Sequence, residues 1–224
     1  MSHSAKDREP GGREPSAEST GEDQKLWFPP TLSTQRLRLR RLREDDAAAI
    51  FDYACDPQVA RFVLWSPHAT QQVSLDYVRH FAFGNYRREV PDPFGITLAQ
   101  GDDRVIGTVG CTWTAAEHGC MELGYALARP HWGRGLMTEA AWAVVSFAFS
   151  IYRPQRIQAR CMVDNHASAR VLRKLSFHYE GRLRSAVRVA DAYHDIELYS
   201  LLRAEWELRL QDGPGEGSSE GRSP

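Results

Sequence analysis

A pair of glycines between an apolar run and a long helical run constrains the fold of this chain more than any other feature. The run Leu123–Leu127 leads into Gly133 and Gly135, and residues of helical character follow from Met137 onwards. A strand that turns through glycines into a helix exposes backbone N–H groups at the positive end of the helix dipole, where a phosphate can bind without any charged side chain. Glycine has no Cβ to keep an anion away from the backbone. The pattern therefore predicts a phosphate or pyrophosphate site, and its alternative is a glycine-rich turn that holds no ligand.

The spacing excludes two common phosphate-binding motifs. The pattern G-x-x-x-x-G-K-[ST] of the P-loop nucleotide-binding proteins occurs nowhere in the chain. The dinucleotide fingerprint G-x-G-x-x-G also fails, because the third residue after Gly135 is Thr138. A ligand at this turn must therefore belong to another class of phosphate-bearing molecule.

The composition is that of one globular domain and argues against two kinds of partner. The chain has 224 residues, of which 42% are hydrophobic and 25% charged, and this is enough for one well-buried domain. A formal net charge of −1 gives no bulk attraction for nucleic acid. No apolar run approaches the roughly 18 residues that a membrane span requires. We therefore expect neither a nucleic-acid partner nor a membrane segment.

The cysteines and the N-terminal residues indicate a cytoplasmic protein without a metal site. Cys55, Cys111, Cys120 and Cys161 show no C-x-x-C spacing, which argues against zinc. The first residues of the chain lack the apolar core of a secretory signal. We therefore expect no metal and a location in the cytoplasm.

The two ends of the chain differ from its centre. Residues 1–25 and 211–224 are rich in Ser, Glu and Gly and almost free of large apolar side chains, which predicts two disordered tails around a single domain at 26–210. Within the domain, apolar periodicity and turn residues predict strands near 35–40, 94–98, 105–113, 121–127, 156–162, 177–183 and 195–202, and helices around 44–56, 71–88, 137–152 and 165–175. This order predicts an α+β layered domain, in which a mixed sheet carries helices on both faces.

The glycine turn resembles the acyl-CoA loop of the GNAT N-acetyltransferases, whose pattern is Gln/Arg-x-x-Gly-x-Gly/Ala. In that alignment Trp132 takes the Gln/Arg position, Gly135 the central glycine and Met137 the final small position. These departures are similar to the RimJ/RimL branch, where W-G-[KR]-G precedes an aliphatic residue, a small residue or Met, and then T-E-A.

Three further segments carry the same resemblance, namely 35–40, 121–127 and 164–177. The last is similar to the family's N-x-x-S-x-x-x-x-x-K-L-G-F, with Ser176 in place of the usual glycine. The resemblance covers residues 34–206. It implies a GNAT-type fold with a mixed, mainly antiparallel sheet flanked by helices on both faces, and the transfer of an acetyl group from acetyl-CoA to a primary amine.

The resemblance also implies where acetyl-CoA would bind. Backbone N–H groups of the turn would hold the pyrophosphate, and the pantetheine arm would lie along the strand 123–127, with an N–H group near Leu127 as donor to the oxyanion. Asn165 would contact the pantetheine or cap its helix, and both roles are compatible. The implied cofactor-binding residues are Leu127, Trp132, Gly133, Arg134, Gly135, Leu136, Met137, Thr138 and Asn165.

Two residues are candidates for the proton transfers that acetylation requires. The amine must lose a proton because an ammonium group has no lone pair, and the departing thiolate should gain one. Glu122 is the predicted base, since burial in an apolar strand would raise its pKa; the alternative is an ion pair with an arginine of a neighbouring strand. Ser168 matches a serine that lies near the cofactor sulfur in this branch, where it would protonate or orient the thiolate. The alternative is that Ser168 is an ordinary helix residue without a functional role. Glu139 is interpreted as structural.

The resemblance implies fewer residues for binding of the amine acceptor than for binding of acetyl-CoA. Trp65 and His68 lie on the loop that shapes the acceptor pocket in the family, and His194 would line the amine side, although packing or a solvated strand would explain the same residues. The acceptor would be a protein α-amine, such as that of a ribosomal protein. The alternatives are a small amine (a polyamine, an aminoglycoside or an amino-acid-like compound) and a non-catalytic acyl-CoA-binding module. Relatives are often dimers, so the resemblance also allows a homodimer.

Overall fold

One eight-stranded sheet organises the computed structural model, which describes residues 27–189 and 191–211. The strands are β1 Leu32–Ser33, β2 Leu37–Arg41, β3 Phe94–Leu98, β4 Gly107–Ala115, β5 Cys120–Leu127, β6 Arg156–Met162, β7 His178–Val189 and β8 Ala192–Leu202. They lie in the order β1-β2-β3-β4-β5-β6-β8-β7, and only the β5–β6 pair is parallel. The predicted mixed, mainly antiparallel sheet is confirmed.

Helices cover the sheet on both faces, as predicted. They are α1 Ala47–Ala54, α2 Pro57–Ala60, α3 Gln71–Asp76, α4 Phe83–Arg87, α5 Leu136–Ile151, α6 His166–Lys174 and α7 Arg203–Gln211. A π-helical turn, Tyr77–Ala82, joins α3 to α4, so the single helix predicted over 71–88 is one helical stretch with a wider turn in its middle. Among the described residues, no helix is both long and apolar enough to cross a membrane.

Two clusters of buried side chains attach the helices to the sheet. The larger cluster packs α5 and α6 against the sheet through fully buried residues such as Val144, Phe149 and Leu172. The smaller cluster packs α1, the π-helical turn and α4 through Ile50, Tyr86 and their neighbours. Burial of each large apolar side chain contributes about 1.5–3 kcal/mol, so these two clusters hold the strands and helices in place around the site described below.

Some elements differ from the prediction. The sequence patterns did not indicate β1, α2 or α7, because β1 and α2 are too short for a period and α7 buries only Trp206. The strands β7 and β8 are also longer than predicted, since their outer parts form an exposed hairpin without an apolar period. The predicted tails lie outside the described residues, except for Gln211, which ends α7.

The sheet opens between β5 and β6. The strand β4 pairs with β5 along the whole length of β5, whereas β6 pairs with β5 only from Cys120 to Glu122. Beyond that point β6 continues beside β8 as far as Met162. The edge of β5 from Leu123 to Leu127 therefore has no strand partner on the β6 side, and its main-chain groups on that side face a gap.

Candidate functional site

The turn between β5 and α5 adopts a left-handed conformation at both of its glycines. The φ angle is 72° at Gly133 and 74° at Gly135, a region that costs a residue with a side chain about 1–2 kcal/mol. Gly135 is the N-cap of α5, and no side chain caps the helix there. A Cβ built on Gly133 would meet no atom within 4 Å, so the space beside the turn is open. The N–H groups of the first turn of α5 are therefore available to an anion.

The carboxylate of Glu139 holds this turn against the start of the sheet. Its Oε1 accepts hydrogen bonds from Thr34 Oγ1 at 2.6 Å and from the Arg36 amide at 2.8 Å. Its Oε2 accepts from Arg36 Nε at 2.7 Å, and the same guanidinium donates to the Arg134 carbonyl at 2.9 Å. Glu139 therefore has the structural role that the sequence predicted, because it ties the turn to the residues that precede β2.

A cavity of about 340 Å³, here called the turn cavity, lies beside the glycines. All the predicted cofactor-binding residues except Arg134 line it: Leu127, Trp132, Gly133, Gly135, Leu136, Met137, Thr138 and Asn165. Leu136 and Met137 are buried, so they contribute packing and main-chain groups. The Trp132 indole donates a hydrogen bond to the Leu127 carbonyl at 2.7 Å, which ties the turn to the end of β5.

Basic residues at the rim of the turn cavity were not predicted. Arg170 and Lys174 of α6 both line it, and their positive charges suit a ligand that carries phosphates. Sequence reasoning missed them because only the packing of α6 beside α5 brings them to the turn. Their spacing of one helical turn was the signal in the sequence, since it places both on one face of α6.

The start of α6 meets β5 through a pair of hydroxyl groups. Asn165 caps α6, and its Oδ1 accepts a hydrogen bond from the Ser168 amide at 3.1 Å. The Ser168 hydroxyl lies 2.8 Å from the Tyr125 hydroxyl of β5. Burial raises the pKa of Tyr125, so this phenol stays protonated near neutral pH. The sequence predicted Ser168 but not the tyrosine, because the contact joins residues on separate elements.

A second cavity of about 300 Å³, here called the aromatic cavity, lies on the other side of that pair. Aromatic side chains form much of its wall: Phe62, Trp65, Tyr77, Phe81 and Tyr125. The carboxylates of Glu122 and Asp92 also line it. The two cavities share six wall residues, and the hydroxyl pair lies among them: Phe62, Val63, Tyr125, Ala126, Asn165 and Ser168.

Glu122 is held by partners on β6. Its Oε1 accepts hydrogen bonds from Arg160, with Arg160 Nε at 2.9 Å and the terminal nitrogen at 2.8 Å. Its Oε2 accepts from Gln158 Nε2 at 3.0 Å. This arrangement is the ion pair with a neighbouring strand that stood as the alternative to a role as base.

Asp92 is a second carboxylate in the aromatic cavity, and the sequence analysis did not single it out. It lies in the connection between α4 and β3, and the removal of its carboxylate from water raises its pKa to about 7. Its Oδ2 lies 3.4 Å from the Asn85 amide nitrogen. The Pro-Asp-Pro sequence around it is typical of an ordinary loop, so nothing in the pattern indicated a partly buried acid that lines a cavity.

The predicted acceptor residues are only partly brought together. Trp65 lines the aromatic cavity, and its ring lies 5.3 Å from the ring of His68. His68 itself lines neither cavity; its Nδ1 lies 2.8 Å from Ser74 Oγ, and burial lowers its pKa. His194 also lines neither cavity, although Val187, its register partner on β7, lines the aromatic one.

Comparisons with known proteins identify the family of this chain. The family described as "Acetyltransferase (GNAT) domain" matches residues 36–178. An uncharacterized N-acetyltransferase of Bacillus licheniformis, p20, is 31% identical over 176 residues, which are 79% of this chain and 98% of that protein. The ribosomal-protein-serine acetyltransferase of Escherichia coli is 30% identical over 99 residues, which are 44% of this chain and 55% of that protein.

A solved structure shows the same fold. RimL, a ribosomal L7/L12 α-N-protein acetyltransferase in complex with coenzyme A, superposes with a TM-score of 0.69 at 20% identity, over 77% of this chain and 98% of that one. The family match spans more than half of this chain, from the first long strand to the start of β7. The chain therefore belongs to the GNAT family of N-acetyltransferases, which move an acetyl group from acetyl-CoA to an amine.

Proposed function

We propose that this protein acetylates the α-amine of a protein or peptide, with acetyl-CoA held at the glycine turn and the amine admitted through the aromatic cavity. The observation that carries the proposal is the arrangement of the two cavities. One lies beside an open helix N-terminus and the other beside two acids, and the wall that they share contains the hydroxyl pair of Ser168 and Tyr125.

The donor side fits a long ligand with a diphosphate at one end. The open N–H groups at the start of α5 suit the diphosphate, and Arg170 and Lys174 add positive charge at the rim. The unpaired edge of β5 from Leu123 to Leu127 suits the amides of a pantetheine arm, which would pair with it as another strand does. The predicted set from Leu127 to Thr138, with Asn165, stays our proposal for the residues that bind acetyl-CoA.

The hydroxyl pair lies where the reacting groups would meet. Acetyl transfer leaves a thiolate that takes up a proton, and the Ser168 hydroxyl is 2.8 Å from the Tyr125 phenol. We assign the pair to that step, with the Ser168 hydroxyl giving its proton to the sulfur and the Tyr125 phenol replacing it through their hydrogen bond. The free N–H groups at the end of β5 are suited to stabilise the oxyanion that forms during the transfer.

The acceptor side favours one amine on an extended molecule. A polyamine site would be expected to present several unpaired acids, whereas here one of the two acids, Glu122, is already paired with Arg160. Aromatic walls suit the aliphatic and aromatic side chains that follow an N-terminal amine in a peptide. The ribosomal-protein acetyltransferases among the similar proteins support a protein acceptor of the same kind.

The proposal is tested by release of coenzyme A thiol from acetyl-CoA in the presence of short peptides that begin with Ser or Ala. We expect release with the free peptides and none with the same peptides N-acetylated beforehand, which serve as matched controls. Spermidine and tyramine test the small-amine alternative in the same assay. Turnover with these amines but with no peptide would contradict the protein acceptor, and acetyl-CoA binding without turnover of any amine would indicate a binding module.

A further inference from the structure

The two acids of the aromatic cavity differ in their surroundings. Both oxygens of Glu122 are occupied, one by Arg160 and the other by the Gln158 amide. Asp92 forms no ion pair among residues 27–189 and 191–211, and the loss of hydration is what raises the pKa of its carboxyl group. Asp92 Oδ2 accepts a hydrogen bond from Asn85 Nδ2, but of the two acids Asp92 alone has no cationic partner among the described residues, so it can pair with a cation that enters the cavity.

The absence of a side chain at Gly110 leaves the space that the Asp92 carboxylate occupies. A Cβ at Gly110 would lie 2.1 Å from Asp92 Oδ1 and 2.7 Å from its Cα, so any side chain there would displace the carboxylate. Gly110 pairs in register with Gly124 of β5, and residues opposite each other on neighbouring strands point to the same face of a sheet. A Cβ at Gly124 would meet no atom within 4 Å. The carboxylate therefore lies on the face where β5 opens into the cavity.

The groups around Asp92 leave its charge uncompensated. The phenols of Tyr77 and Tyr86 and the Asn85 amide approach Asp92 from the π-helical turn and α4, and the Cys111 thiol approaches from β4. The negative charge of Asp92 contributes to the raised pKa of Tyr77, Tyr86 and Cys111. Across the cavity lie Glu122 and Arg160, which neutralise each other.

The aromatic wall adds a second feature that suits a cation. Trp65, Tyr77 and Phe81 line the same cavity as Asp92, and the Tyr77 and Phe81 rings stack with centroids 5.3 Å apart. Aromatic faces attract ammonium groups, most strongly where water is excluded. A carboxylate that has no cationic partner among the described residues and aromatic rings in the same cavity together match a primary ammonium group.

We propose that Asp92 binds the ammonium group of the acceptor and takes its proton, and is thus the base of the acetyl transfer. The proposal rests on the proposed function, since it assigns a residue to that reaction. One N–H bond of the ammonium breaks and its proton passes to the Asp92 carboxylate. The freed lone pair attacks the thioester carbonyl carbon, and the C–S bond breaks with its electron pair on sulfur. The nitrogen loses its second proton to the hydroxyl pair as that pair gives one to the sulfur, so the pair ends the reaction unchanged, and Asp92 later returns its proton to water.

The ionisation of Asp92 fits this role. Its pKa of about 7 keeps a large share of the carboxylate charged at neutral pH and still lets it hold a proton during the reaction. The reaction needs the charged form, so activity is lost as the pH falls through 7. The amine of a peptide has a pKa of about 8, so the acceptor still arrives mostly as ammonium.

The test is the pH profile of kcat/KM for a Ser-initiated peptide with the wild-type protein, Asp92→Asn and Glu122→Gln. The wild type should lose activity below pH 7. Asp92→Asn should lower kcat/KM by about 100-fold at pH 7, which is the size of a general-base contribution. Its profile should also lack the rise in kcat/KM near pH 7, here called the limb, and kcat/KM should instead rise until the pH reaches the pKa of the amine. Glu122→Gln is the matched control, and it should keep the limb near pH 7 whatever its effect on the rate.

Acetyl-CoA binding by calorimetry separates this inference from the proposed function. Asp92→Asn should bind acetyl-CoA as the wild type does, which also shows that the variant is folded. A wild-type profile with no limb near pH 7, or a limb that disappears in Glu122→Gln and persists in Asp92→Asn, would overturn the assignment and leave the acetyltransferase activity intact. If no peptide is acetylated and the CoA-loaded wild type binds a free-amine peptide no better than Asp92→Asn does, the inference also fails.

Discussion

At the scale of single residues, the contact between Ser168 and Tyr125 is the part of the site closest to the proposed chemistry. A serine hydroxyl alone is a poor acid, because its own ionisation lies far above neutral pH. Its 2.8 Å contact with the partly buried phenol of Tyr125 gives it a neighbour that can supply a proton through the hydrogen bond. The two hydroxyl groups are therefore expected to act as a unit.

This expectation is tested with Ser168→Ala, Tyr125→Phe and the double variant. Each single change should lower kcat by roughly tenfold with little effect on KM, and the double variant should be no slower than the slower single one, because groups that act together are not additive. Tyr152→Phe is the matched control, since the Tyr152 hydroxyl donates to the Glu89 carbonyl away from both cavities. Multiplicative losses in the double variant would show that the hydroxyl groups act independently.

The residues of the site differ in how far the sequence reveals them. Asn165 and Ser168 lie three residues apart on one helix, so their joint position follows from helical geometry. Tyr125 and Asp92 are different, because their roles depend on which distant element packs against them. The ion pair of Glu122 could not be predicted from the sequence either, since the pairing of β6 with β5 determines that Arg160 is its partner.

At the scale of elements, the junction of β5 and α5 determines where a ligand can bind. The two left-handed glycines expose the start of α5, and the brace from Glu139 to Arg36 keeps the junction in place. The unpaired edge of β5 leads directly into this junction. Loss of either feature should therefore remove the binding of acetyl-CoA without unfolding the sheet.

Gly135→Val tests the junction. A β-branched side chain at a φ of 74° is strained, and its methyl groups would cover the N–H groups at the start of α5. Because a hydrogen bond to a charged group contributes about 1.5–3 kcal/mol, we expect the Kd of acetyl-CoA to rise by about 100-fold in calorimetry. Gly84→Ala is the matched control: it lies in α4, has open space around it and should bind acetyl-CoA as the wild type does. Unchanged binding by Gly135→Val would contradict the role of the turn.

Elements with a clear period were predicted closely. The strands β3 and β6 have the predicted bounds. The strand β3 is an apolar run that begins directly after Pro93, and β6 begins soon after Pro154 with alternating polar and apolar residues. The π-helical turn and α7 were not predicted, because no period distinguishes a wider helical turn and α7 is mostly exposed. The divergence of β5 and β6 has no sequence signal at all, since it depends on the pairing of β6 with β8.

At the scale of the whole molecule, the sheet consists of two parts that meet at a short parallel contact. The strands β1 to β5 form one part and β6, β8 and β7 the other, and they join only through Cys120, Met121 and Glu122. Both cavities lie where the parts diverge, one beside the glycine turn and one beside the acids. This architecture explains how a single chain can bring two substrates together from two sides, while the homodimer and the cytoplasmic location stay predictions.

The central claim is that main-chain amides of the glycine turn hold the diphosphate of acetyl-CoA. Amide hydrogen exchange, read residue by residue by NMR with and without acetyl-CoA, tests it most directly. Acetyl-CoA should slow exchange at the N–H groups of residues 133–138 and along the free edge of β5 at 123–127. Binding of acetyl-CoA that leaves exchange at residues 133–138 unchanged would show that these amides do not hold the diphosphate.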